Sequence, residues 1–432
     1  MSDKFISGAV YGPSEKPPVG EWIFLSIQHV FAMFGATILV PILTGLNPSA
    51  ALFSAGTGTL IYIVLTKAKV PAFLGSSFAF IPPIIMVSAT FGLPYALGGA
   101  FCAGIFYAIV AAIIKVAGHK WLDKALPPVV IGSVIIVIGL NLAPTAMSMA
   151  MNDASGVYSM TSLTIALVTL SITIIANIFF KRFWALIPIL IGLTSGYIFT
   201  LIMGSFFPAF HIIDYSHIKE AAWISLPSFA FPKFNLVAIL SFIIVSFATM
   251  CEHLGDILVL SNVVGENFYE KPGLHRTLLG DGVATAWASL WGGPPNTTYG
   301  ENIGVLAITK VYSVWVIGGA AILATLLSFF GKFGALIQTI PTPVLGGISM
   351  LLFGIIASSG LRTLVESGVN YQNKRNLTIS SVILVIGIGG GMISFNINEN
   401  LTFALGGVAL ATLVGIILNL ILPEANPDQT YI

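Results

Sequence analysis

Runs of about 20 apolar residues, separated by Gly, Pro and short charged loops, recur along almost the whole chain, and this pattern restricts its fold more than any other feature. A helix of that length crosses the hydrocarbon layer of a bilayer, and inside that layer every backbone N–H and C=O needs a partner within the protein. Of 432 residues, 56% are hydrophobic and 8% charged, against roughly 25% charged in an ordinary soluble domain. Such a chain has too little polar surface to cover itself in water, so it is read as an all-α, polytopic integral membrane protein embedded in lipid. A net charge of +1 without a basic cluster excludes a nucleic-acid partner. Cys102 and Cys251 lie in apolar segments and read as packing residues.

Hydropathy, punctuated by breakers, predicts fourteen spans: 22–43, 50–66, 72–89, 95–116, 127–146, 161–180, 184–204, 235–261, 276–291, 296–310, 312–331, 343–362, 376–396 and 400–422. Spans three and ten are weak as plain helices. The third carries Pro71, Gly75, Pro82 and Pro83, and the tenth follows Trp291-Gly292-Gly293-Pro294-Pro295. With the N-terminus inside, 15 of the 18 Lys and Arg residues fall on the cytoplasmic side, leaving Lys219, Lys233 and Lys332 outside. The positive-inside bias therefore agrees with fourteen spans in a plasma membrane and both termini cytoplasmic. Residues 1–21 and 423–432 are expected to be short cytoplasmic tails, the first lacking the pattern of a cleaved signal. The long external loop, 205–234, has room for a short helix.

The two halves echo each other. Gln28-His29 matches Glu252-His253 at an offset of 224, and Pro127-Pro128-Val129-Val130-Ile131-Gly132 resembles Pro341-Thr342-Pro343-Val344-Leu345-Gly346 at 214. Seven spans is an odd number, so the second copy enters the membrane from the opposite side, an inverted repeat. Transporters of that kind bind substrate near the midplane on discontinuous segments in matching positions of the two repeats.

Four of the 17 acidic residues fall within or at the edge of spans: Glu252, Asp256, Asp281 and Glu301. A carboxylate at membrane depth is costly and survives facing a cavity or a partner. Glu301 sits in Asn296-Thr-Thr-Tyr-Gly-Glu-Asn302, directly after the helix breakers, where freed backbone N–H groups can line a site. Glu252 and Asp256 are four residues apart and share a helix face, with no Lys or Arg in their span. Two carboxylates on one buried face cannot both stay ionised cheaply, which suits a proton-coupled carrier. His253 points about 100° off that face and reads as a packing residue. His29 is open to two roles, orienting a neighbour or coupling protons. Asp281, between Gly280 and Gly282, is open to a backbone-bonding role at a helix break or a role in transport. No His, Cys and carboxylate spacing fits zinc or calcium, no glycine loop fits a nucleotide phosphate, and no nucleophile–base pair suggests an enzyme. No metal or other cofactor is expected.

Gln28-His29, Gly75-Ser76-Ser77-Phe78-Ala79-Phe80, Glu252-His253-Leu254-Gly255 and Asn296-Thr-Thr-Tyr-Gly-Glu-Asn-Ile-Gly304 together resemble the nucleobase-ascorbate transporter family over nearly the whole chain, with the Thr-Tyr-Gly-Glu-Asn version closest to its uracil branch. The resemblance implies two inverted repeats of seven spans, with short strands in spans three and ten meeting at the substrate. It implies a core domain (22–116, spans one to four; 235–331, spans eight to eleven) and a gate domain (127–204, spans five to seven; 343–422, spans twelve to fourteen), with a homodimer formed through the gate. The implied activity is uracil import with protons by alternating access. Glu252 and Glu301 would hold the ring, helped by the backbone at Phe78 and Gly300, with Tyr299, Ala36 and Ser77 nearby. Glu252, Asp256, Glu301 and His29 are the candidates for proton coupling. Asp256 departs from the histidine of one family pattern and matches the acid of another. Uracil, flat and neutral, presents two ring N–H donors and two carbonyl acceptors, which carboxylates and free backbone N–H groups can respectively pair. A carrier of another nucleobase such as xanthine, and an anion exchanger or channel on the same architecture, are the alternatives.

Overall fold

The computed structural model describes residues 9–398 and 401–423. Its helices and strands, in chain order, are α1 (Val19–Thr44), α2 (Pro48–Leu65), β1 (Leu74–Ser76), α3 (Ile81–Phe91), α4 (Leu93–Ala117), α5 (Lys120–Ala125), α6 (Pro128–Asn141), α7 (Ala143–Met151), α8 (Met160–Phe179), α9 (Pro188–Phe206), α10 (Ser216–Glu220), α11 (Leu236–Val264), α12 (Leu274–Leu290), β2 (Asn296–Thr298), α13 (Gly300–Thr309), α14 (Val314–Ser328), α15 (Gly331–Gln338), α16 (Thr342–Glu366), α17 (Lys374–Ile388), β3 (Met392–Asn398), β4 (Leu401–Gly406) and α18 (Gly407–Ile421). Eight helical stretches among the described residues are long and apolar enough to cross a membrane, with shorter apolar helices at Phe78–Phe91, Val314–Ser328 and Gly407–Ile421.

Local sequence explains the boundaries. Asn47 precedes Pro48 at the start of α2 and accepts from Ala50 N–H at 3.0 Å, while Asn235 accepts from Val237 N–H at 2.9 Å at the start of α11. Both satisfy helix-end donors that have no intrahelical partner. The predicted span 127–146 is two helices, because Pro144 cannot donate to the preceding turn and the helix breaks at Leu142. The loop 205–234, read from the sequence as external, contains α10. The predicted spans 376–396 and 400–422 are also shorter than expected. Helix α17 stops before Gly389-Gly390-Gly391, and the chain then forms the antiparallel β3–β4 hairpin where hydropathy had extended the membrane runs.

Small residues let the helices approach closely. Helix α12 lies along α4 and α2, and a Cβ added at Gly104 would come within 2.5 Å of Gly282 O. Helix α16 lies along α6, α7 and α8, with the same 2.5 Å limit between Gly360 and Gly132 O. Close backbone contact of this kind is how helices associate where lipid offers no hydrophobic drive.

Strands β1 and β2 pair antiparallel, with Leu74 opposite Thr298, Gly75 opposite Thr297 and Ser76 opposite Asn296. Each has three residues, and each sits in a segment that breakers had marked as a poor helix. The pair is held from outside as well. Leu74 N–H donates to Thr59 Oγ1 on α2 at 2.9 Å, and Ser77 N–H donates to Pro295 O at 2.9 Å. Pro41, inside α1, has no N–H for the carbonyl of Thr37, and Ser76 Oγ fills that vacancy at 3.1 Å. A defect in one helix therefore anchors the strand beside it.

Candidate functional site

The strand pair delivers two helix starts to one place. After β1 a single 3₁₀ turn, Phe78–Phe80, leads into α3, and after β2 the chain turns at Tyr299 into α13. N–H groups in the first turn of each helix lack intrahelical acceptors, and the helix dipoles put their positive ends there. Alongside runs α11, whose Glu252 and Asp256 are one turn apart on the face turned toward β2. Thr297 Oγ1 lies 3.4 Å from Glu252 Oε2, and Thr298 Oγ1 donates to Asp256 Oδ2 at 3.0 Å.

A cavity of about 350 Å³ opens between these elements, and Phe78, Glu252, Asp256, Tyr299, Gly300 and Glu301 all line it. Three carboxylates thus face one space; spacing had put Glu252 and Asp256 on one helix face, whereas Glu301 was joined to them only by the family resemblance. Glu252 and Asp256 are 8% and 5% exposed, and Glu301 Oε1 is buried without a hydrogen-bond partner. A buried polar atom left open beside a cavity is ready to bind whatever enters it. Among the described residues the one cation on the wall is Arg362 on α16, where its Nε donates to Glu366 Oε1 at 2.6 Å.

Other named residues lie behind the wall. Ala36 and Ser77 are buried but do not line the cavity, and Ala32 and Met33 occupy the place on α1 expected for Ala36. His29 also stands back, its Nε2 donating to Asn302 Oδ1 at 2.6 Å, while Asn302 Nδ2 donates to Pro71 O at 3.0 Å. This chain of hydrogen bonds ties α1, the residue after Glu301 and the segment before β1 together. The Tyr299 hydroxyl reaches Thr37 Oγ1 at 3.3 Å and Ser76 O at 3.4 Å. Its ring covers Gly75, where any Cβ would overlap it. Phe78 packs edge-on against Phe353 of α16, centroids 5.8 Å apart.

For Asp281 the structure removes one of the two roles the sequence left open. Helix α12 runs through it without a break, so it caps no helix end, and its carboxylate lies 3.1 Å from His253 Nδ1. Both side chains are fully buried, and His253 Nε2 lies 3.1 Å from Thr277 Oγ1. His253 is therefore more than a packing residue, since it faces an acid that would otherwise be buried alone. The pairing joins residues on separate helices, which helical periodicity cannot reveal. Thr297 and Thr298 were also missed, although polar side chains beside a helix break were a usable signal.

Apolar spans broken at a strand pair, with carboxylates turned into the resulting cavity, are the arrangement of a membrane transport protein's binding site. The chain belongs to the Permease family, whose sequence model matches residues 20–397. It is 52% identical over 428 residues to the uracil permease of Bacillus subtilis (strain 168), covering 97% of this chain and 96% of that one. It is 46% identical over 412 residues to the uracil permease of Escherichia coli (strain K12), covering 95% and 93%. In fold it is similar to the transmembrane domain of the cyanobacterial bicarbonate transporter BicA, with a TM-score of 0.65, 17% identity, and coverage of 95% of this chain and 99% of that one.

Proposed function

We propose that this chain imports uracil together with protons across the plasma membrane by alternating access. The observation that carries the reading is the meeting of Glu252, Asp256 and Glu301 with two helix N-termini around one cavity. In this arrangement Glu252 and Glu301 accept the two ring N–H groups. Backbone N–H groups at Phe78 and Gly300 donate to the carbonyls, and Phe78 packs against the ring. A site pairing every polar edge of a ligand rejects analogues that lack one.

Asp256 sits one turn from Glu252, and adding a proton to the cluster relieves repulsion among three acids. That makes proton uptake and substrate binding mutually supportive. Two inverted repeats of seven spans, sorted into a core (α1–α4, α11–α14) and a gate (α6–α9, α16–α18), supply the moving parts. The contacts of α12 with α4 and α2, and of α16 with α6, α7 and α8, are consistent with that division. A homodimer through the gate belongs to the same proposal.

The test is labelled uracil uptake into proteoliposomes with and without an inward proton gradient, for the native protein and for Glu252→Gln and Glu301→Gln. The native protein should accumulate uracil with the gradient, compete with unlabelled uracil and ignore xanthine and adenine. Either substitution should reduce uptake at least about a hundredfold, as expected when a buried charged partner is lost. Undiminished uptake in either variant refutes the site. Purine uptake in its place moves the substrate to another nucleobase, and a chloride or sulfate current would favour an anion carrier.

A further inference from the structure

Helix α13 carries Glu301 in its first turn, yet it has only ten residues. A helix that short is marginal by itself, so its position depends on what holds its two ends. Strand β2 holds the first. At the second, Lys310 adopts a left-handed conformation (φ 55°) and the chain runs out through Val311, Tyr312 and Ser313 into α14.

The segment ahead of α1 lies along this exit. Val10 N–H donates to Lys310 O at 2.9 Å, and Tyr11 bridges Val311 in parallel. Tyr312 N–H donates to Tyr11 O at 2.7 Å and Val314 N–H donates to Pro13 O at 3.0 Å. The fully buried Ser313 hydroxyl donates to Glu15 O at 2.5 Å. Gly12 and Glu15 close a turn through Glu15 N–H to Gly12 O, 3.1 Å, and Gly12 N–H to Glu15 Oε2, 2.8 Å. The Lys16 ammonium lies 5.1 Å from the Trp315 ring centroid and 5.9 Å from that of Trp22, and Trp22 Nε1 donates to Trp315 O at 2.6 Å. Every residue from Lys310 to Trp315 is thus engaged by the N-terminal segment or by the start of α1.

We infer that residues 10–16 form a strap that positions α13, and through it Glu301, for substrate. This rests on Glu301 being a ligand, as proposed above. The strap residues touch no part of the cavity, so they act through the half-helix and not on the substrate. Because α1, α13 and α14 are all held by it, the strap travels with whichever body carries Glu301.

The test keeps the full chain. A specific protease site is inserted between Lys16 and Pro17, the folded protein is purified in detergent, and uracil affinity, melting temperature and hydrogen exchange are compared before and after cleavage and removal of the released peptide. Release should weaken uracil binding about tenfold and speed exchange at residues 302–309, with little change in melting temperature. A synthetic peptide of residues 1–16 should restore both, which a merely unfolded protein would not allow. Ser313→Ala should weaken binding in the same direction by less. Unchanged exchange in α13 after release, or a loss of affinity that follows unfolding and is not restored by the peptide, overturns the strap. If the uncut protein fails to bind uracil, the functional reading falls, and the exchange comparison still decides the strap.

Discussion

At the scale of single residues, the His253–Asp281 pair carries a clear prediction for stability. Both side chains are fully buried, 3.1 Å apart, with Thr277 on the other ring nitrogen. Removing one partner of such a pair leaves an uncompensated acid in a medium that solvates it poorly. His253→Ala should destabilise the detergent-solubilised protein by about 3–5 kcal/mol, read as loss of folded protein in thermal or denaturant titration. His253→Leu combined with Asp281→Leu should recover most of that loss. Additive losses in the double variant would show that the two do not act as a pair. The carboxylates Glu252, Asp256 and Glu301 were legible in the sequence because a charge inside an apolar run is conspicuous. His253–Asp281 was not, because its members are 28 positions apart on different helices and meet only through the packing of α11 and α12.

The paired strands β1 and β2 are the elements on which the site geometry rests. Their ladder has three residue pairs, too few to stand alone, and the surrounding helices supply the rest. Thr59 on α2 serves both sides of Leu74, accepting from its N–H at 2.9 Å and lying 3.2 Å from its carbonyl. Thr59→Val keeps the shape and leaves a buried N–H unpaired, a loss of about 1–3 kcal/mol. Hydrogen exchange should rise at Leu74 and its ladder neighbours while α8 and α9 stay unchanged. Equal protection at Leu74 in the variant would show that the hydroxyl is not what holds the strand. Gly, Pro and the polar Asn-Thr-Thr sequence announced both breaks. That the two broken segments would pair with each other did not follow from hydropathy, because pairing depends on helices far apart in the chain coming together. The β3–β4 hairpin was hidden for a different reason, since its apolar strands read as membrane runs.

Over the whole molecule, several contacts join loops whose basic residues were read as lying on the same side. Lys332 Nζ donates to the carbonyls of Ile218 and Lys219, and Lys233 N–H donates to Pro94 O, so the three residues read as external lie in connected loops. Arg276 reaches Leu65 O next to Lys67, and Arg375 reaches Asn419 and Leu422, which groups residues read as cytoplasmic. In a protein with Cys102 and Cys251 replaced by Ala, Ser155→Cys and Ser225→Cys should react with an impermeant maleimide added to intact cells. Lys120→Cys and Gln372→Cys should react only after permeabilisation. The reverse pattern at any position would break the fourteen-span topology. The distribution of Lys and Arg gave the sidedness expected from the sequence, whereas which helices pack together depends on which faces touch. The joining of β1 to β2 also has a thermodynamic consequence. Because one ladder, the Thr37–Ser76 bond and the Tyr299 ring fix both halves of the proposed uracil platform beforehand, little disorder would remain to be lost when uracil arrives. Calorimetry of uracil binding should show a small conformational entropy penalty, with selectivity expressed mainly in enthalpy.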